Sequence, residues 1–270
     1  MAKRFFVIAG LTAVGALGCM FFPKDPPPAQ SGPIAMADLA LPDLDEDGQG
    51  ERLRILPGED GQLIQLEATG SPRPHDMLTL RARGPVRFEE REKEWDLVDA
   101  ESKPVATVRL YENPEPLRPD LIVLAGDQAK RYVFIERGFL KLDAGEVIPG
   151  FSVGLIMMGD REAALTAIGG PVDAEGTWHQ PLTRPVPIKI EFNSERRVSG
   201  ITYSTDQLVM KDAFKVGASA ATLDGIYPGR LESSDTWISP RYGITGHLDP
   251  SAQKVEAITI TRPWTEGATR

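Results

Sequence analysis

Gly159-Asp160-Arg161-Glu162-Ala163-Ala164-Leu165-Thr166-Ala167-Ile168 matches Gly217-Ala218-Ser219-Ala220-Ala221-Thr222-Leu223-Asp224-Gly225-Ile226 at an offset of 58 residues. Further along, Arg197-Val198-Ser199-Gly200-Ile201-Thr202 matches Lys254-Val255-Glu256-Ala257-Ile258-Thr259 at an offset of 57. Near-equal offsets at the two ends of a unit are the mark of an internal repeat. Each unit predicts a glycine turn and a short helix capped by Asp160 or Ser219, with Leu165 and Ile168, or Leu223 and Ile226, three apart on one buried face. Strands follow over 188–192 and 198–203 in the first unit, and over 243–248 and 255–261 in the second. A helix of about ten residues is marginal alone, so each must lie on the sheet that its own strands build. Residues 151–270 therefore predict an α+β domain, a tandem helix-then-strands repeat with helices packed on an antiparallel sheet.

Upstream, 51–150 reads as β. Short apolar runs recur at 53–56, 63–66, 77–80, 95–98, 105–110, 121–124, 132–135 and 139–142, and turn-forming clusters such as Pro57-Gly58-Glu59-Asp60-Gly61 separate them. Short strands at this spacing predict an antiparallel sandwich or an open barrel. The mixed charges from Arg87 to Lys93 fit an exposed hairpin rather than a nucleic-acid patch.

The N-terminus carries an address. Lys3 and Arg4 precede an uncharged run from Phe5, and Gly15-Ala16-Leu17-Gly18-Cys19 ends it with the only cysteine of the chain. This is the plan of an export signal. The five residues resemble the lipobox of bacterial lipoproteins, which implies removal of 1–18 and lipid modification of Cys19. An uncleaved signal anchor and an ordinary cleaved signal are the alternatives, because Phe5 to Phe22 is just long enough to span a bilayer. Residues 19–50 then read as an acylated cysteine with a proline-rich, acidic tether, holding Pro23, Pro26, Pro27, Pro28, Pro33 and Pro42.

The glycine turn, the short helix, Ile168-Gly169-Gly170-Pro171 and the strands ending in a basic-Val-x-x-Ile pattern resemble the tandem repeat of the β-lactamase inhibitor protein. They are also similar to the small outer-membrane assembly lipoproteins of the SmpA/OmlA type. The resemblance covers about 151–262, and Tyr227-Pro228-Gly229 departs from it where a Gly-x-Pro would stand. It implies a surface for binding or scaffolding proteins, and it transfers no functional residue.

Candidate chemistry is sparse. Gly150-Phe151-Ser152-Val153-Gly154 matches the G-x-S-x-G elbow of serine hydrolases, with His179 and His247 downstream as bases. The elbow requires a strand, a sharp turn and a helix in a parallel sheet, which hairpins do not provide. An interdomain turn or edge strand fits Ser152 better. Asp43, Asp45 and Asp47 space their carboxylates as in the first half of a calcium loop, but Arg54 stands where the bidentate glutamate belongs. His75, His179 and His247 lack metal-ligand spacing, and no cofactor is expected. Trp178 and Trp237 fall at matching places in the two units, in loops before the closing strands. Exposed, they would anchor a partner; buried, they would close the cores of their own units.

A formal charge of −9, more negative once Lys3 and Arg4 leave with the signal, opposes binding to nucleic acid or anionic lipid surfaces. The expectation is an envelope lipoprotein of a bacterium, facing the periplasm or exterior, held to the membrane by its N-terminal lipid. It would act without catalysis as a module binding an envelope protein. Inhibition of a secreted or periplasmic enzyme and a hydrolase using Ser152 are the alternatives.

Overall fold

The computed structural model describes residues 37–263, apart from 45, 47, 59–60, 68–74, 83, 92–93, 114–118, 136–137, 183, 211 and 250–253. The signal segment 1–18, Cys19, Asp45, Asp47 and Trp264 lie outside the described residues. The chain divides into two compact units, Met1–Gly32 and Pro33–Arg270, and everything described belongs to the second.

The first sheet is an antiparallel meander of β1 (Ala37–Ala40), β2 (Arg52–Gly58), β3 (Gly61–Glu67) and β4 (His75–Leu80). A second meander follows, from β5 (Arg87–Arg91), β6 (Glu94–Val98) and β7 (Pro104–Tyr111) to β8 (Asp120–Ala125), β9 (Gln128–Ile135) and β10 (Gly138–Asp143). Neither sheet closes into a barrel. They meet on one core in which Leu53, Ile55, Ile64 and Leu66 of the first face Val108, Leu121, Val123 and Tyr132 of the second. The alternation of side chains along each strand puts these residues on the shared face.

The tether expected over 19–50 ends earlier than its composition suggests. Ala37–Ala40 pairs with β2, and Leu41 and Leu44 are buried in the first core. Acidic residues around them masked the strand, because short strands at sheet edges carry little alternation to read.

Three short strands, β11 (Glu146–Ile148), β12 (Ser152–Val153) and β13 (Ile156–Met157), lead to α1 (Glu162–Gly169). Then come β14 (Thr177–His179), β15 (Pro187–Phe192), β16 (Val198–Tyr203) and β17 (Val209–Met210), the last pairing in parallel with β11. The chain continues through α2 (Ala220–Ile226), β18 (Arg230–Leu231), β19 (Thr236–Ser239), a 3₁₀ turn (Pro240–Tyr242), β20 (Ile244–Asp249) and β21 (Lys254–Thr261). A seven-stranded sheet results, in the order β14-β15-β16-β21-β20-β19-β18, with every pairing antiparallel. Each helix precedes its strands, and the last strands of the two halves, β16 and β21, meet in the middle.

Residues 51–150, expected as a β domain, and 151–270, expected as an α+β domain, both lie in the second compact unit. The second meander is buried on both faces at β8. Leu121 and Val123 face the first core, while Ile122, with Ala129 of β9, joins the core of the seven-stranded sheet. Helix α1 packs between β7 and β14. Its Ala164, Leu165 and Ile168 are buried, whereas α2 buries Leu223 alone. A strand with apolar residues on both faces is the pattern of a covered sheet, and β8 reads Asp-Leu-Ile-Val-Leu-Ala.

Candidate functional site

Asp160 does not cap α1. The N-cap is Arg161, whose side chain makes no cap bond, and the Asp160 carboxylate points instead into the protein. Its Oδ2 accepts from Arg131 Nη1 at 2.6 Å and from the Met157 amide at 2.8 Å. Arg131 also donates from Nε and Nη2 to Asp120 Oδ2, at 2.8 and 2.5 Å, and from Nη1 to the Leu155 carbonyl at 3.0 Å. The guanidinium is 1% exposed and Asp120 fully buried, so one cation holds two carboxylates away from water. Burial raises the Asp120 carboxyl above its ordinary range, and Arg131 pulls the other way. For Arg131, burial works against its charge, and Asp160, then Asp120, more than compensate, so it stays protonated. The raised direction for Asp120 is the one that fits a triad with two negative groups and one positive. This triad ties β8 and β9 to the turn before α1. Sequence reading missed it because the partners are 11 and 29 residues apart and carry no motif. In the second half the helix is capped as expected: Ser219 Oγ accepts from the Thr222 amide at 3.1 Å.

Both repeat tryptophans lie on strands, not loops, and both are buried, which leaves neither an exposed face for a partner. Trp178 on β14 donates from Nε1 to the carbonyls of Leu165 and Gly170, at 3.1 and 3.0 Å. The Gly170 carbonyl lies at the C-cap of α1, among the acceptors that the helix leaves free, so the indole satisfies it while reaching back to Leu165 in the helix. Trp237 on β19 is 2% exposed, and its Nε1 donates to Asp224 Oδ1 of α2 at 3.3 Å. Each tryptophan therefore fastens its own helix to its own strands.

Ser152 lies on β12, an interior strand of the small β13-β12-β11-β17 sheet rather than an edge. It is 1% exposed, and its Oγ has no hydrogen-bond partner among the described residues. Neither histidine reaches it: His179 is exposed at the end of β14, and His247 Nε2 pairs with Thr259 Oγ1 at 2.9 Å. A strand, a turn and a second strand stand where the elbow would need a helix.

At the ends of the acidic segment, the described carboxylates bind backbone. Asp43 Oδ2 accepts from the Gly48 amide at 2.8 Å, and the buried Glu51 accepts from the Leu44 amide at 2.6 Å. Asp45 and Asp47 lie outside the described residues, and no group of three or more His, Cys, Asp or Glu placed to hold a metal occurs among the described residues.

The remaining candidate is a surface. One face of the seven-stranded sheet rests on Ile188, Ile201, Tyr203, Ile258 and Ile260, all buried. On the other face, ladder partners form a row from Thr177 through Lys189, Thr202, Thr259, Thr245 and Ile238 to Arg230. Thr261, Ala257, His247 and Thr236 flank it, and all are exposed or half-buried. Among the described residues, charges stand on β15 at Lys189 and Glu191, at the β20–β21 turn end at Asp249, Lys254 and Glu256, and on β18 at Arg230, whereas the stretch of the row from Thr202 through Thr259 and Thr245 to Ile238 carries none. Threonine offers a methyl and a hydroxyl on a stiff β-branched stem, which suits both the strand and a contact surface.

No family model, curated protein or solved structure matches the chain.

Proposed function

We propose that the chain is a non-enzymatic binding or scaffolding module of the bacterial cell envelope, lipid-anchored at Cys19, that receives a protein partner on the open face of the seven-stranded sheet. The observation carrying this reading is the charge-free centre of that face, on a chain in which 26% of residues are charged. An exposed sheet face is normally polar opposite its apolar face, and on a chain this rich in charge an uncharged central stretch is a departure from the average surface. Depletion of charge at the centre with polar groups at the rim is how protein interfaces are built. The rigid backing agrees: the face rests on a full core, and the Arg131 triad fixes that core to the second meander.

The halves α1 to β16 and α2 to β21 form a tandem repeat in this reading, supported by the helix-then-strands order and by the meeting of β16 with β21. The resemblance to the β-lactamase inhibitor protein and SmpA/OmlA-type lipoproteins rests on those motifs. If the partner is an enzyme, the same face makes the chain an inhibitor. Burial of Ser152 without a base supports a role apart from hydrolysis.

Two measurements test the reading. The N-terminal peptide from membrane-fraction protein should begin at Cys19 with added acyl mass; an intact Met1 and an unmodified cysteine would remove the anchor. Affinity capture from envelope extracts should yield one stoichiometric partner that is lost with Thr202→Arg or Thr259→Arg. Capture unaffected by both would move the binding site elsewhere.

A further inference from the structure

Phe151 is one of the exposed large hydrophobic residues, at 38%. It is displayed rigidly: its amide donates to the Ile148 carbonyl at 3.0 Å, and its carbonyl accepts from the Met158 amide at 2.8 Å. Beside it, two guanidinium groups converge. Gly159 has φ +95°, and the space a Cβ would take there is filled by Arg262 Nη2, which donates to the Met158 carbonyl at 3.5 Å. Arg197 Nη1 donates to the Gly159 carbonyl at 3.2 Å. Arg161, exposed, is the antiparallel bridge partner of Arg197, which puts their side chains on the same side.

Arg197 and Arg262 lean on carbonyl oxygens, and Arg197 adds a long ion pair to the exposed Glu195. Glu162 is occupied by Arg196 at 2.5 Å, and Glu195 reaches Arg197 only at 3.5 Å. Arg161 and Arg262 form no ion pair with a described residue. A chain of net charge −9 thus gathers arginines around Gly159, one residue beyond Met158, whose amide is bonded to the carbonyl of the exposed Phe151.

We propose that Phe151, Arg161, Arg197 and Arg262 form a docking point for a short acidic segment of a partner protein, one that places an apolar side chain against Phe151. Arginine suits this because its planar fork pairs with carboxylates in two-point geometry. Range decides between a peptide and an anionic bilayer. At physiological salt a charge is felt over about 8 Å, so a peptide as small as the spot meets mainly arginines. An extended anionic surface also meets the acidic remainder of the chain and is repelled. The proposal does not depend on the sheet face, because none of its residues belongs to the threonine row.

The test is fluorescence anisotropy of a labelled hexapeptide alternating acidic residues with Leu and Phe, titrated with the full chain bearing Cys19→Ser. A neutral peptide with Gln and Asn for the acids is the control, and anionic phospholipid vesicles are the competitor. Saturable binding in 50 mM salt, weakened tenfold or more in 300 mM salt, is expected for the acidic peptide alone. Arg161→Gln, whose side chain has no described partner to lose, should weaken it about threefold. Arg197→Gln with Arg262→Gln should weaken it at least tenfold, and Phe151→Ser should weaken it with its salt dependence unchanged. The Thr202→Arg variant should bind as the parent does. No saturable binding, binding indifferent to Arg161→Gln, or complete competition by the vesicles would overturn the proposal.

Discussion

Thr202 and Thr259 face each other across the pairing of β16 with β21, their Oγ1 atoms 2.7 Å apart. They are also 57 residues apart, the offset that matches Arg197–Thr202 to Lys254–Thr259 in the sequence. The pair therefore marks both the centre of the sheet and the uncharged stretch of its open face, where the two halves join.

The hydroxyl contact should be a modest stabiliser. Thr202→Val and Thr259→Val, measured singly and together by urea denaturation, are expected to show a coupling of about 0.5–1 kcal/mol. A coupling near zero would mean that solvent or His247 fully replaces the partner.

Arg131 should be the costliest polar side chain to remove. Arg131→Met leaves Asp120 and Asp160 buried without their cation, and a loss of about 3–5 kcal/mol in unfolding free energy is expected. Adding Asp120→Asn and Asp160→Asn to the same chain should recover part of that loss, since no buried charge remains. A loss below about 1 kcal/mol for Arg131→Met alone would contradict the triad's role.

Asp120 gives a pH dependence of definite sign. Its carboxyl is raised in the folded chain, chiefly by burial, so its contribution to stability is fully present below the unfolded value of 3.8 and is lost as pH rises through the folded value. The melting temperature of the parent minus that of Asp120→Asn should therefore fall between pH 3 and pH 7. A difference that grows over this range would mean that Arg131 outweighs burial and that the carboxyl is depressed.

The two helix starts should respond differently. Ser219→Ala removes a conventional cap and should cost about 1 kcal/mol. Asp160→Ala removes a buried partner of Arg131 and should cost more than twice that in the same urea titration. Equal losses would show that Asp160 acts as a cap after all.

Much of this fold is legible because local patterns decide it. Each apolar run read between 53 and 142 coincides with one of β2, β3, β4 and β6 to β10, and the closing strands fall where the internal match places them. Strands β14 and β19 escaped notice because Thr177–His179 and Thr236–Ser239 are too short for alternation to show. Their tryptophans looked like loop residues until the ladder placed them. Ala37–Ala40 at the end of the expected tether is hidden for the same reason, a four-residue edge strand in acidic surroundings that gains its place from β2. The Arg131 triad and the arginine spot around Gly159 are products of long-range contact, and no spacing in a single sequence announces them. The uncharged stretch was hidden differently: the threonines at 202, 245, 259 and 261 are unremarkable in order and become a surface only when the strands stand side by side.

The most direct test of the central claim is a photo-crosslinking amino acid placed at Thr259, and in a second chain at the exposed Ala221 of α2, in intact cells. The account predicts one discrete crosslinked partner from position 259, absent from position 221 and lost when Thr202→Arg is added. Crosslinks from both positions to the same abundant proteins, or none from position 259, would contradict it.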